Sequence, residues 1–128
     1  MIIGSGIDLI EVARVRQALE RPHTGPRFCA RIFTPGETRY CEARGRARYQ
    51  SYAARFAAKE ATMKALGTGW SAGVGWRDIE VVRERGRPPT IKLWGTAATL
   101  AARRGINAFH LSISHSAEQA VVAVIAEG

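Results

Sequence analysis

A long helical pattern near the middle of the chain determines how the rest can pack. It runs from about Arg48 to Leu66, and it stops at Gly67, a residue suited to the left-handed conformation that ends many helices. The large apolar residues that recur at three- and four-residue steps are Tyr49, Tyr52, Phe56, Met63 and Leu66. We therefore expect this helix to be central to the fold.

The same helix carries an unusual group of charges. Lys59 and Lys64 are two of the three lysines in the chain, and Glu60 lies one turn before Lys64. In the simplest interpretation Glu60 and Lys64 form a surface pair contributing ~0.3–0.5 kcal/mol, while Lys59 extends its ammonium into water. Small alanine residues along the helix also allow a sheet or a ligand to approach closely, which favours a functional interpretation.

The first third of the chain predicts a strand and two helices. Met1 to Ile7 is apolar enough for a strand, and a helical pattern follows from Asp8, which has capping-box spacing to Glu11. The segment from Pro22 to Pro26 predicts a loop. A further helix is expected from Thr34, because a cap, a first-turn proline and an acidic third residue follow one another there.

Two hairpins and a short helix are predicted after the long helix. The first hairpin joins Asp78–Glu84 to Thr90–Trp94, and a helix follows from Thr96 to Arg104. The second joins the alternating run that starts at Phe109 to the apolar run Ala120–Ala126. The complete order predicts an α+β fold, with a mainly antiparallel sheet packed against the long helix and shorter helices.

Length, hydropathy and charge narrow the classes of protein. The 128 residues predict a single domain spanning 1–128. We expect a cytoplasmic protein without a membrane partner, since no apolar run approaches the about 20 residues that a spanning helix needs and no leader pattern starts the chain. The net charge of +8 favours an anionic partner: a nucleic acid, an acidic protein or a phosphate-rich small molecule.

A metal site in this chain depends on whether the side chains of Asp8 and Glu60 lie close together in the fold. Two cysteines and three scattered histidines lack the spacing of a zinc site. Asp8 is explained equally well as a helix cap. If Asp8 and Glu60 converge, however, their oxygens would suit Mg²⁺, which usually takes one or two protein carboxylates together with waters and phosphates. Gly67 and Gly69 begin a glycine-rich loop whose N–H groups could face a phosphate.

Several motifs together resemble those of the holo-acyl carrier protein synthases, the small bacterial type of 4′-phosphopantetheinyl transferase. The matching stretches are "GSGIDLIEVARV", "RFCARIFTPGE", "YAARFAAKEATMKALGTG", "DIEVV" and "HLSISHSAEQAVVAVI". They contain the paired signatures G-x-D and F-x-x-K-E-A-x-x-K-A and follow the family order over nearly the whole chain. The resemblance implies that the phosphopantetheine arm of coenzyme A is transferred to a serine of an apo-acyl carrier protein, releasing adenosine 3′,5′-bisphosphate.

The resemblance also implies roles for the charged residues of the long helix. Asp8 and Glu60 would be catalytic and hold Mg²⁺ against the coenzyme A diphosphate, and Lys64 would neutralise or protonate the departing phosphate. Lys59 would position the phosphates or orient Glu60. The acceptor of the serine proton stays open between Glu60 and a metal-bound water.

Further contacts are implied outside this group. Gly67, Gly69 and His115 would bind coenzyme A, with His115 near its 3′-phosphoadenosine end or at the neighbouring catalytic site. Relatives often have Asp or Thr where Ser116 follows this histidine, so an acidic role there is not expected. A homotrimer with active sites between subunits is implied too. The residues implied to face the acidic carrier are Arg14, Arg27 and Arg31.

Two other classes of function are compatible with the composition. A nucleic-acid-binding module would use the positive charge and the scattered aromatic residues, although the chain lacks a recognised binding motif. A subunit that binds coenzyme A without catalysis would retain the fold but not transfer. The presence of both acids and Lys64 favours the enzyme. The resemblance implies a role in fatty acid biosynthesis, and the sequence leaves open whether the carrier serves fatty acid synthesis, polyketide synthesis or both.

Overall fold

The computed structural model describes residues 1–68 and 73–128, so the predicted site residue Gly69 lies outside the described residues. Its strands are β1 (Ile2–Glu11), β2 (Ile79–Val82), β3 (Thr90–Leu93), β4 (Ala108–His115) and β5 (Gln119–Glu127). Its α-helices are α1 (Val12–Glu20), α2 (Gly25–Ile32), α3 (Pro35–Glu42), α4 (Arg48–Leu66) and α5 (Gly95–Arg103). Two short 3₁₀ turns, Gly45–Ala47 and Trp76–Asp78, precede α4 and β2.

The strands form two antiparallel sheets. Three strands pair in the order β1-β5-β4, and β2 pairs with β3 as a hairpin. Both predicted hairpins are confirmed, as is the α+β class with a long helix against an antiparallel sheet. In the larger sheet Asp8 is opposite Val122, and Val122 is opposite Ile113, so these three side chains lie on the same face.

Helix α4 lies across β1 and β5 and forms the centre of the core. Its alanines at 53, 57, 58 and 61 are completely buried, which allows the sheet to approach closely. The approach is closest at two glycines of β1. A Cβ on Gly4 would lie 2.1 Å from the carbonyl oxygen of Ala65, and one on Gly6 would lie 2.0 Å from that of Ala61. Only glycine fits at these two positions, and they bring β1 against α4 just before Asp8.

The predicted helix from Asp8 is wrong in its starting point. Asp8 belongs to β1, which pairs with β5 as far as Glu11, and α1 begins at Val12. Glu11 occupies the cap position without a side-chain hydrogen bond, so the predicted Asp8–Glu11 capping box is absent. The physical reason is the pairing with β5, which supplies hydrogen bonds that extend the strand beyond the local helical pattern.

The predicted loop is correct for residues 22–24, which form a turn after α1, but its last two residues already belong to a helix. Helix α2 starts at Gly25 and accommodates Pro26 in its first turn, where the missing N–H costs no hydrogen bond. The start of the next helix is confirmed. Thr34 accepts a hydrogen bond from the Glu37 backbone, and the Glu37 side chain accepts one from the Thr34 backbone, which completes the capping box.

Candidate active site

Strand β1 and helix α4 bring Asp8, Glu60 and Lys64 together. The Lys64 ammonium donates to the Ile7 carbonyl at 2.8 Å and lies 3.3 Å from Asp8 Oδ1. Asp8 is mostly covered, with 12% of its side chain exposed, whereas Lys64 is 54% exposed. Glu60 lines the same cleft as Asp8, so the convergence of the two acids, which the sequence left conditional, is present in the fold.

The charge of Asp8 acts directly on Glu60. The pKa of the Glu60 carboxyl is raised first by burial and then by the charge of Asp8 and a hydrogen bond with its carboxyl group. Lys64 and Arg14 oppose this rise because their positive charges favour the ionised form. Two acids share a small space in which the charge of one disfavours ionisation of the other, an arrangement that a bound cation would relieve.

A cleft of about 360 Å³ opens beside the two acids. Arg14, on α1, lines it together with Asp8 and Glu60, and the aromatic rings of Phe28 and Phe56 form part of its wall. The cleft therefore combines a negative end, an arginine and an apolar wall. Such a surface suits a ligand that carries both charge and apolar groups.

A second cleft of about 380 Å³ adjoins the first through the same two aromatic residues, Phe28 and Phe56. Two predicted carrier-binding residues, Arg27 and Arg31, line it, and Trp76 closes one side. Phe56 stacks on Trp76 with ring centroids 4.9 Å apart and on Phe28 with centroids 6.3 Å apart. The fold thus brings Arg14, Arg27 and Arg31 to two adjoining clefts that share an aromatic wall.

The structure gives Lys59 a different setting from the one predicted. Its side chain is 0% exposed and forms an ion pair with Glu37 at 2.7 Å. Its ammonium also donates to the carbonyls of Trp76 and Ile79. These contacts use all three N–H groups of the ammonium, so neither the predicted phosphate contact nor an ammonium exposed to water is compatible with this position.

Neither Gly67 nor His115, two of the predicted coenzyme A-binding residues outside the helix, lies beside Asp8 and Glu60. Gly67 ends α4 with a φ of +77°, its N–H bonded to the Lys64 carbonyl, and the guanidinium of Arg104 lies over it. His115 ends β4, two strands from β1, and is opposite Ala120, which is itself opposite Ile10. Strand spacing alone separates β1 and β4 by roughly 10 Å, so the chain does not bring His115 directly to Asp8.

Sequence reasoning missed two features of the site. The aromatic wall of Phe28, Phe56 and Trp76 comes from three separate segments, and nothing local to any of them indicates the contact. The second feature is the outer face of the large sheet, where Ile7 and Leu9 are 62% and 61% exposed. Their alternation with Gly6 and Asp8 was a visible signal of a strand with two different faces.

Comparisons with known proteins identify the family. A model of the 4′-phosphopantetheinyl transferase superfamily matches residues 4–125. The holo-[acyl-carrier-protein] synthase of Desulforudis audaxviator is 54% identical over 128 residues, which are 100% of this chain and 95% of that protein.

Solved structures give the same result. The crystal structure of the holo-[acyl-carrier-protein] synthase from Neisseria meningitidis is 30% identical, with a TM-score of 0.88 and complete coverage of both chains. The synthase from Bacillus anthracis, whose structure is a complex with CoA (3′,5′-ADP), is 36% identical with a TM-score of 0.78, covering 98% of this chain and 96% of the other.

These matches show that the chain belongs to the 4′-phosphopantetheinyl transferase superfamily, a class of group-transfer enzymes. Within that class its relatives are holo-acyl carrier protein synthases, so the family and the enzyme class predicted from the motifs are confirmed. In the parts of the chain that the structure describes, no helix is long and apolar enough to cross a membrane.

Proposed function

We propose that the protein transfers the 4′-phosphopantetheine arm of coenzyme A to a serine of an apo-acyl carrier protein, with Mg²⁺, and releases adenosine 3′,5′-bisphosphate. The observation that carries this proposal is the convergence of Asp8 and Glu60 beside Lys64. The B. anthracis relative, solved with CoA (3′,5′-ADP), supports coenzyme A as the donor.

The donor set of the cleft fits Mg²⁺. Asp8 and Glu60 provide hard carboxylate oxygens. Burial raises the pKa of Glu60, and the charge of Asp8 raises it further, a repulsion that a cation would relieve. Mg²⁺ usually takes one or two protein carboxylates and completes its coordination with waters and phosphates, so two carboxylates are enough. When bound, Mg²⁺ would supply charge neutralisation for a diphosphate.

Lys64 would act on the phosphate side of the reaction. Two of its three N–H groups contact Ile7 and Asp8, which leaves one for a phosphate within the described part of the chain. Its exposure and its flexible stem allow the ammonium to follow charge that develops on the leaving group. Asp8 would thus both bind the metal and orient Lys64.

The serine hydroxyl also needs a proton acceptor. Glu60 provides a carboxylate oxygen, a group that can take a proton from a hydroxyl placed beside it. It lines the cleft into which the serine would enter. We therefore assign proton acceptance to Glu60 among the residues of this chain.

An acidic carrier would dock along the two adjoining clefts. Arg14, Arg27 and Arg31 line them, and the shared rings of Phe28 and Phe56 offer apolar contact between the charges. A helix with acidic and apolar residues on one face matches this pattern, since charge steers the encounter and apolar contact slows release. The carboxylates lie at the end where the serine would be presented.

A homotrimer with active sites between subunits is part of the proposal. Its support is the outer face of the large sheet, where Ile3, Ile7, Leu9 and Ile125 are all more than a third exposed. A contiguous apolar face of this kind is typical of a surface that another subunit covers. Its position on β1, directly behind Asp8, would place the site close to the neighbouring subunit.

The test is transfer to a purified apo-carrier, followed by mass spectrometry in the presence of coenzyme A and Mg²⁺. We expect the carrier to gain the mass of one phosphopantetheine group with the wild-type protein, and turnover to fall by at least ~100-fold with Glu60→Gln. Glu84→Gln, in the exposed turn of the β2–β3 hairpin, is the matched control and should retain activity.

Three results would contradict the proposal. Binding of coenzyme A without transfer to any of several carriers would favour a non-catalytic subunit. Salt-sensitive binding of nucleic acid without coenzyme A binding would favour the rival module. Wild-type turnover by Glu60→Gln would remove Glu60 from the reaction.

A further inference from the structure

The ion pair between Lys59 and Glu37 is the most deeply buried charged contact among the described residues. Both side chains are 0% exposed, and the ammonium lies 2.7 Å from Glu37 Oε1. Burial lowers the pKa of Lys59, and the neighbouring carboxylate of Glu37 opposes that shift. Buried ion pairs often stabilise a fold no more than well-packed apolar residues would, so this one calls for an explanation other than stability.

The pair joins four elements through directed hydrogen bonds. Lys59, on α4, donates to the carbonyl of Trp76 at 3.1 Å and also to that of Ile79, at the start of β2. The carboxylate of Glu37 accepts from the backbone N–H groups of Thr34 and Val81, each at 2.9 Å. The Lys59–Trp76 bond holds the 3₁₀ turn to α4, and the other bonds hold α3, α4 and β2 to one another. The turn is therefore tied to a frame of three elements.

The fixed turn determines where the aromatic wall stands. Trp76 is 6% exposed, and its ring stacks on Phe56 at 4.9 Å with an angle of 28° between the planes. Phe56 in turn lines both the cleft with the two acids and the cleft with Arg27 and Arg31. Since Lys59 holds the Trp76 backbone, a displacement of this turn would move a wall that the two clefts share.

We propose that Lys59 and Glu37 are positioning residues, which hold the Trp76 turn so that Phe56 and Trp76 form the docking wall for the carrier protein. Neither side chain touches a substrate in this arrangement. Their effect passes through the backbone of Trp76 to the clefts beside Glu60. The inference rests on the proposed function, because the wall matters to catalysis only if the carrier docks there.

The test compares the double variant Lys59→Met, Glu37→Gln with the wild type. The double change removes both charges together, which avoids leaving one of them buried and unpaired. We expect the KM for the apo-carrier to rise ~10-fold, with kcat and the KM for coenzyme A changing less than ~3-fold. The near-ultraviolet circular dichroism of Trp76, identified by its loss in Trp76→Phe, should weaken while the far-ultraviolet spectrum stays unchanged.

Two further variants keep the test decisive. Lys92→Met is the matched control, because Lys92 stacks on the exposed Trp94, which lies outside both clefts, and it should leave every constant unchanged. Trp76→Leu removes the ring but keeps the ion pair, so it should raise the carrier KM similarly even if the double variant fails to fold.

The results that would overturn the inference are specific. An unchanged carrier KM in Trp76→Leu, or in a folded double variant, would show that the wall does not serve docking. If kcat of the double variant falls only in proportion to the fraction of protein that is folded, with the carrier KM unchanged, the ion pair has a purely structural role. The circular dichroism signal of Trp76 is measured without substrates. If the wild-type protein fails to transfer, the proposed function is wrong, but the effect of the Lys59–Glu37 ion pair on the Trp76 turn is still measured.

Discussion

Replacing Gly6 by alanine should separate the two halves of the active site. A Cβ at this position would lie 2.0 Å from the carbonyl oxygen of Ala61 and 2.9 Å from the Cβ of Lys64. Neither neighbour can rotate away, since one is helix backbone and the other is the first atom of its side chain. An ordinary contact needs about 3.4 Å or more, so β1 has to move from α4 by more than ~1 Å.

The displacement has a cost in stability and a larger one in activity. Overpacking of this kind costs about 1–3 kcal/mol in the free energy of unfolding, or roughly 3–5 °C of Tm for each kcal/mol in a domain of this size. Asp8 lies two residues after Gly6 and would move with the strand. Mg²⁺ holds its ligands at about 2.0–2.1 Å, so if Asp8 is the proposed ligand, a shift of this size should reduce kcat on the order of 100-fold.

The assay combines thermal unfolding with carrier transfer. Gly75→Ala is the control, because its Cβ would meet nothing closer than 3.7 Å and its φ of −86° suits any residue. Gly4→Ala meets the Ala65 carbonyl oxygen at 2.1 Å but lies farther from Asp8, so it should destabilise as much with a smaller loss of kcat. A Gly6→Ala protein with wild-type Tm and kcat would refute the proposed role of the close contact.

Two other predictions concern charge and assembly. The pKa of Glu60 is raised in the folded state, so its ionisation costs stability at neutral pH, and the cost disappears as pH falls below the unfolded value of about 4.5. Without metal, Glu60→Gln should therefore be more stable than wild type at pH 7, by less than ~1 kcal/mol because the side chain is partly exposed, and the gain should vanish near pH 4. Urea unfolding in a chelator checks this, and a loss of stability at pH 7 would contradict it. Ile7→Lys should shift the protein from the proposed trimer to a monomer in analytical ultracentrifugation, since it adds a charge to the outer apolar face. If the wild type is a trimer and the variant stays one, that face is not part of the interface.

Local signals predicted some elements closely. The bounds of α4 agree with the sequence pattern at both ends, because the apolar stripe and the stop at Gly67 lie within the helix itself. The hairpin that contains Thr90 and the capping box at Thr34 are equally local, and both are confirmed. Each of these elements contains the interactions that define it within a few neighbouring residues.

The predictions that were wrong or incomplete concern contacts between residues that are far apart in the sequence. Asp8 was placed in a helix because its strand partner, Val122, lies at the other end of the chain. Lys59 was predicted to position phosphates, to orient Glu60 or to extend into water, and Glu37 was explained fully by its helix cap. Their ion pair depends on how α3 meets α4, which no local pattern contains. The site residues that stay predictions depend on ligands or on other subunits.

The two faces of β1 connect the active site to assembly. Successive residues of a strand face opposite sides of the sheet. Gly4, Gly6 and Asp8 therefore lie on the side of β1 that faces α4, and Ile7 and Leu9 lie on the exposed side. A slip of one residue against β5 would turn Asp8 outward and bury isoleucine where only glycine fits. The close contact with α4 therefore fixes the register of the strand. That register simultaneously orients the Asp8 carboxylate inward and the apolar residues Ile7 and Leu9 outward. The same short alternation therefore specifies both the proposed metal ligand and the surface proposed to contact another subunit.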